Sequence, residues 1–352
     1  MTTPNPPVHE LTAHDVVFLT GATGFLGAEL VRLLAARKVR VHALVRDPAR
    51  AAQLLPPGIT LHAGDLTDAA SVARATAAAA EAARVAGGRL YVIHSGALIS
   101  YRTRERTLAQ HVNVDGTRVM LDAARAHGAT RFLFVSSVVA VGQSLDGAPI
   151  DERAPFNLGH LGVHYTDTKR AAEELALAAR DLDVVVVNPG AIFGPAERAS
   201  NTVRFMRQMA TGHGPIAAPP GTISVVGIAD TALGTLAALE RGRRGERYIL
   251  VESFVSSRRL FELIGAELGV RAARFTVPRW VFPLLVPLAR VWDACFPIAL
   301  ATPQALVMLT CELRLSGDKA RRELGWQPRP FETVLRETIA ALRTRGELPA
   351  AP

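Results

Sequence analysis

Tyr165 and Lys169 stand four residues apart in "YTDTK", in a chain of 352 residues that has only four tyrosines and three lysines. Chance placement would give roughly 0.03 such pairs. Residues at i and i+4 share one face of a helix. Lys169 can there lie beneath the Tyr165 phenol, and a neighbouring cation favours phenolate and draws its pKa toward working pH. Such a phenol can give a proton to a carbonyl oxygen or take one from an alcohol. A serine hydroxyl can hold the same oxygen, and "RFLFVSS" offers Ser136 and Ser137 at the end of an apolar run. The plainer alternative is a structural tyrosine–lysine contact on an exposed helix. Two histidines compete for a proton-carrying role. His94 is expected to pack at a strand end, and His164 to lie beside the mouth of the site.

A second constellation is "TGATGFLG", which places Gly21, Gly24 and Gly27 between an apolar strand and a helix. Gly21 permits a tight turn, Gly24 lets backbone approach a pyrophosphate, and Gly27 lets the helix pack close to the sheet. The helix N-terminus then offers N–H groups and partial positive charge to phosphate. Thr23, Phe25 and Leu26 complete the loop and the first turn. The spacing is G-x-x-G-x-x-G rather than G-x-G-x-x-G. "LVRDP" closes the next strand, and Arg46 at its end suits the 2′-phosphate of NADP, whereas an acidic residue would suit the ribose of NAD. NADP is therefore the expected cofactor, with NAD the alternative; a solvated arginine followed by Asp47 is the bland reading. In "GDLTD", Asp65 and Leu66 can flank an adenine. Asp65 could instead cap the following helix, although Asp68 is better placed for that.

The elements that must position these groups alternate along the first half. Strands are expected at Val16–Leu19, Val39–Val45, Ile59–Ala63, Leu90–His94, in "RFLFVSS" and in "DVVVVNPG". Helices are expected after the glycine loop, over Ala69–Ala86, over "LAQHVNVDGTRVMLDAARAHG" and over Tyr165–Ala179. Val-rich strands between helices mark a parallel sheet covered on both faces. The expected fold is α/β, a doubly wound parallel sheet of the Rossmann type with a smaller, mostly helical C-terminal region. Residues 1–13 read as a flexible tail, 14–195 as the dinucleotide-binding domain and 196–352 as the substrate-binding region.

Net charge is +8, almost all of it from arginine, and the pI is about 10.2. No basic run is interleaved with aromatics, so nucleic acid is not an expected partner. Cys295 and Cys311 form no C-x-x-C pair, which argues against zinc and against a disulfide framework. No apolar leader opens the chain, and the expected location is cytoplasmic. The stretch "VPRWVFPLLVPLARVWDACFPIAL", residues 277–300, is oily, but Arg279, Arg290, Asp293 and three prolines interrupt it. It reads as a buried or substrate-lining helical segment, with peripheral contact to a membrane surface as the alternative; a span is disfavoured.

"TGATGFLG", "LVRDP", "GDLTD", "NVDGT", "FVSSVVAVG", "YTDTK", "NPGAIFGP", "GERYIL" and "DKARRELGWQPRP" together resemble the extended short-chain dehydrogenase/reductase superfamily, over about residues 14 to 345. The nearest likeness is to its 3β-hydroxysteroid dehydrogenase and dihydroflavonol reductase branch. The resemblance implies Ser137, Tyr165 and Lys169 as catalytic. Ser137 is preferred over Ser136 because it lies five residues before Gly142. It also implies that His94 to Ile99, with Ser95, Gly96 and Ala97, runs along the cofactor. "HSGAL" departs slightly from a more usual run of alanines. Asn113 is implied near the active site, and Pro189 and Gly190 as backbone contacts to the nicotinamide.

The expected activity is NAD(P)-dependent interconversion of a ketone or aldehyde and an alcohol on a small apolar molecule. The steroid-, terpenoid- or flavonoid-like character of that molecule follows from the branch resemblance and the oily stretch. The runner-up is a nucleotide-sugar epimerase with retained NAD; a non-catalytic NADP sensor is further off, because both Tyr165 and Lys169 are present. A dehydratase is disfavoured: Val138 and Val139 follow Ser137, where related dehydratases carry an acid pair. Monomer and homodimer are both open.

Overall fold

The computed structural model describes residues 9–195, 201–210, 217–273, 275–295 and 302–349. Its centre is a seven-stranded parallel sheet. In chain order the strands are β1 (Val16–Thr20), β2 (Arg40–Val45), β3 (Thr60–Ala63), β4 (Leu90–His94), β5 (Arg131–Val135), β6 (Val184–Pro189) and, after three short strands, β10 (Arg247–Leu250). Across the sheet they run β10-β6-β5-β4-β1-β2-β3. The chain thus winds outward one way from β1 and the other way from β4. Ligands of open α/β sheets bind in the crevice at such a switch point, outside the carboxyl ends of the strands.

The sequence dictates this by burying strands on both faces. β1, β4, β5 and β6 are buried at every position. Val17 and Leu19 of β1 point into one core layer with Leu30 and Leu34 of α1 (Phe25–Ala36) and Leu236 of α8 (Ile228–Arg241). Val16 and Phe18 point into the other, with Ala75 and Ala79 of α3 (Ala69–Val85), Met120 of α5 (Gly116–Ala126) and Ala172 and Ala176 of α6 (His164–Ala178). The alanines of α3 leave no side chain to hold the helix off the sheet. Asp68 starts that helix by accepting the Ala70 N–H at 3.1 Å.

Three features depart from the expected pattern. The helix foreseen over "LAQHVNVDGTRVMLDAARAHG" is broken: α4 (Arg106–Ala109) passes into a π-helical turn, Gln110–Asp115, before α5 begins. Residues 1–8 lie outside the described residues, and the rest of the expected tail is held. His9 N–H donates to Glu240 O at 2.7 Å, and Leu11 packs against the core. Finally, the sheet does not end at residue 195, because β10 pairs with β6 in the register Arg247↔Val186.

Beyond β6 a small sheet, ordered β11-β9-β7, is built from β7 (Ala191–Phe193), β9 (Thr222–Gly227) and β11 (Ser253–Ser256). Around it α9 (Ser257–Leu268) and α13 (Phe331–Thr344) close a separate core with Phe193, Phe261, Ile264 and Phe331. A last pair of helices, α10 (Phe282–Cys295) and α11 (Pro303–Met308), packs together, and Gln304 of α11 accepts the His164 N–H of α6 at 3.2 Å. The end of the oily 277–300 stretch, residues 296–300, lies outside the described residues.

Candidate active site

The glycine loop sits at the crevice. Gly21 has φ +73°, and a Cβ there would meet the backbone of Ser95 and Gly96 at 2.8–2.9 Å. The turn after β1 and the turn after β4 therefore touch backbone to backbone, which only glycine at this position permits. A Cβ on Gly27 would lie 2.0 Å from Gly21 O, so this residue brings α1 against the loop. Helix α1 starts at Gly24 with no side-chain cap and no acidic residue in its first turn. That leaves its N-terminal N–H groups and positive dipole end to an anion, the fit a pyrophosphate needs. Leu66 lies over Gly96, its methyl about 3.0 Å from where a Cβ would stand. Asp65 Oδ1 accepts from the N–H and hydroxyl of Thr67 at 2.9 and 2.7 Å. Arg46 is exposed at the end of β2, and Asp47 turns away to cap α2 (Pro48–Leu54) by accepting the Arg50 N–H at 3.0 Å.

His94 closes β4 inside a wired network. The Gly96 N–H donates to Thr20 Oγ1 at 3.0 Å, and the Thr117 hydroxyl donates to Asn113 O at 2.6 Å. The Thr20 hydroxyl is thus left to donate to His94 Nδ1, 2.7 Å away, and Thr117 Oγ1 to accept from Nε2, 3.1 Å away. These partners assign the neutral Nε2–H tautomer. Burial, with Lys169 nearby, pushes the His94 pKa down to about 3. His94 is held neutral as a structural link between the two turns that carry the glycine loop and Ser95, Gly96 and Ala97.

Ser137 follows β5, and Tyr165 and Lys169 lie in the first two turns of α6. The structure brings all three together. Ser137 is near enough to influence the Tyr165 phenol, and both Tyr165 and Lys169 are buried. The electrostatics differ from the expectation of a phenol drawn down by its lysine. Burial dominates and pushes the Tyr165 pKa up to about 12, with Ser137 opposing. Lys169 Nζ instead donates to Val135 O at 2.8 Å and stands 4.7 Å over the Phe134 ring. Its own pKa is pushed down to about 8 by burial, against the pull of Glu173. In this arrangement Tyr165 is a protonated donor at neutral pH, and Lys169 is a cation that gives up its proton easily.

Glu173, Asn188, Arg247 and Tyr101, which sequence reasoning passed over, surround the site beside residues it had named. Glu173 lies eight positions after Tyr165, so Tyr165, Lys169 and Glu173 form one helical stripe, a period legible in the sequence. Its buried carboxylate accepts from Asn188 Nδ2 at 2.6 Å and pairs with Arg247 at 3.0 Å. Asn188 Nδ2 also donates to Ser137 O at 3.0 Å, tying the serine to that ion pair. The Tyr101 ring meets Tyr165 edge-on, centroids 5.7 Å apart. Asn113 in the π-turn binds both backbone groups of Leu98, at 2.7 and 3.0 Å, and donates to Thr168 Oγ1 at 3.1 Å. His164 is buried, and neither ring nitrogen makes a hydrogen bond among the described residues. Pro189 ends β6, and a Cβ on Gly190 would lie 2.6 Å from Ser224 O, so the strand leaves the crevice in close contact with β9.

Residues 17–250 match the model of the NAD dependent epimerase/dehydratase family. The chain belongs to this family. It is an enzyme of the extended short-chain dehydrogenase/reductase type, NAD(P)-dependent as the family is. It is 32% identical to sterol demethylase protein B of Methylococcus capsulatus over 340 residues, 93% of this chain and 98% of that one. It is 29% identical to a 3 beta-hydroxysteroid dehydrogenase/Delta 5→4-isomerase of Mycobacterium tuberculosis, covering 89% of this chain and 86% of the relative. A solved structure of a nucleoside-diphosphate-sugar epimerase from Pseudomonas aeruginosa superposes with a TM-score of 0.74 at 25% identity, over 96% of this chain and all of that one.

Proposed function

We propose that this enzyme is an NADP-dependent reductase of a ketone or aldehyde on an apolar, steroid-, terpenoid- or flavonoid-like molecule. The observation that carries this reading is the apolar packing around Tyr165. Tyr165 belongs to an apolar cluster with Val139, Leu158, Val163, Leu313 and Leu315, and Tyr101, Val307 and Met308 pack against it. Apolar surroundings of this kind favour a hydrocarbon skeleton carrying one carbonyl over a sugar. Two relatives whose names carry a sterol or a hydroxysteroid agree with it.

The residues assign themselves to roles. The Ser137 hydroxyl holds the carbonyl oxygen, and Tyr165 gives that oxygen its proton as the carbon is reduced. Lys169 supplies a donor for the cofactor's ribose, while the glycine loop and α1 hold the pyrophosphate. NADPH, when bound, supplies the hydride. Arg46 is the group for a 2′-phosphate, a reading helped by Asp47 being spent on its helix cap. Residues 14–195 would carry the cofactor and 196–352 most of the substrate contacts.

The test is purified enzyme with NADPH, followed at the nicotinamide absorbance, against ketosteroids, flavanonols, prenyl-type ketones and UDP-sugars. Turnover of an apolar ketone is expected. Interconversion of UDP-sugars with no net cofactor oxidation would replace this reading with an epimerase, which the Pseudomonas structure keeps in view.

A further inference from the structure

The outer surface of α10 is unlike the rest of the exposed protein. Between Trp280 and Ala289 the sequence "WVFPLLVPLA" contains no charged residue. At about 100° per residue, Phe282 and Ala289 fall on one side of a helix, and Trp280, Leu284 and Leu288 fall on the opposite side. The structure follows this division. Phe282 and Ala289 are 6% and 7% exposed, whereas Trp280, Leu284 and Leu288 are 70%, 62% and 68% exposed. A helix that only needed to cover a core would present polar residues outward. This one is oily on both sides, and soluble surfaces seldom expose such a stripe without a partner.

Length and charge say which partner. Among the described residues no helix is long and apolar enough to cross a bilayer. The 14 residues of α10 rise only about 21 Å against a hydrocarbon core of about 30 Å. An interfacial seat remains, the placement of a short apolar face with a tryptophan at its edge. The charge is distributed to match. Residues 196–352 hold 21 Lys and Arg against 14 Asp and Glu, a net +7, while residues 1–195 hold 19 against 18, a net +1; together they make the +8 of the whole chain. Nearly all the positive excess lies in the C-terminal part of the sequence, which includes the stripe, and anionic headgroups attract positive charge.

We propose that Trp280, in the turn before α10, together with Leu284 and Leu288 of α10, docks the enzyme on an anionic lipid surface. The seat lies close to the chemistry. α10 packs on α11, and Val307 and Met308 of α11 pack against the cluster that contains Tyr165. An apolar substrate dissolved in the bilayer would meet this helical pair before it met water. The docking face is read from exposure and charge alone, so it stands or falls apart from the carbonyl reduction.

The experiment is co-sedimentation of the full chain with vesicles of phosphatidylcholine alone and of phosphatidylcholine with phosphatidylglycerol, together with tryptophan emission. The protein is expected to pellet with the anionic vesicles, to blue-shift its emission, and to be released by salt. The triple variant Trp280→Ser, Leu284→Ser, Leu288→Ser should bind at least about tenfold more weakly, with unchanged melting temperature and unchanged turnover of a water-soluble ketone. The single variant Leu284→Ser, in the same direction but smaller, covers the case of a triple variant that folds poorly. Equal pelleting of wild type and variants, or no pelleting with anionic vesicles, overturns the proposal. So does a vesicle-free dimer that the variants convert to monomer, which would make the stripe a contact between two copies.

Discussion

Asn113 donates a 3.1 Å hydrogen bond to Thr168, and Thr168 in turn donates to the carbonyl of Tyr165 at 3.2 Å. The same amide holds both backbone groups of Leu98, so the turn after β4 and the first turn of α6 hang on one side chain. The π-turn exists at the point where Asn113 must face both. An extra residue in the turn re-aims a side chain that a regular helix would point elsewhere. Asn113→Ala should leave the part-buried Leu98 N–H and C=O without their side-chain partner, at a cost of at most about 1–3 kcal/mol. A lower melting temperature and a reduced kcat are expected together. A variant with both unchanged would show that the turn after β4 is held by something else.

The glycine loop predicts two different outcomes from one kind of substitution. Gly24 has φ −81° and ψ 177°, extended backbone that any residue adopts, and a Cβ there would stand 3.0 Å from Gly21 O, a tight contact but far milder than at Gly27. Gly24→Val should fold, yet place a branched side chain where the pyrophosphate must approach. Gly27→Val puts its Cβ 2.0 Å from Gly21 O and should fail to fold or melt far lower. NADP titration and thermal melting separate the two. Full cofactor affinity in Gly24→Val would end the phosphate assignment.

Arg46 lies exposed where β2 ends. Arg46→Asp removes a charge-assisted contact to the 2′-phosphate and adds repulsion. The loss is worth about 1.5–3 kcal/mol, roughly ten- to hundredfold in affinity. NADP should weaken by that factor and NAD should not. If the unmutated enzyme uses NAD and NADP with equal kcat/KM, the preference does not exist.

What could be read from the sequence was whatever depended on neighbours along the chain. The glycine loop, the valine runs and the Tyr165–Lys169 stripe are local patterns, and local patterns survive in one dimension. The strand in "ERYIL" is legible, but its place in the main sheet is not, because that comes only from pairing with β6, some sixty positions earlier. The Glu173–Arg247 ion pair spans 74 positions for the same reason. Periodicity put Lys169 on the face of Tyr165 but could not show that Nζ would find the carbonyl of Val135. Nor could it show how far burial would raise the phenol.

The catalytic pair gives the sharpest test, because its two members are shifted in opposite directions. Tyr165→Phe removes one hydroxyl with almost no change in volume, and turnover should fall by about 10²–10⁴ while folding and NADP binding persist. Lys169→Met should impair turnover and also weaken NADP. The double variant should lose much less than the product of the single losses, since the two act as a unit. Stability against pH isolates the lysine. Burial holds its pKa near 8, below the ordinary 10.5. Between those values the folded protein has shed a proton that the unfolded chain keeps. Stability due to this group therefore rises as pH climbs from about 8 to about 10.5. The melting temperature of wild type minus that of Lys169→Met should increase across that window and flatten below it. A difference that is level from pH 7 to 10 would mean that Lys169 titrates as an ordinary exposed lysine, and the site drawn around it would be wrong.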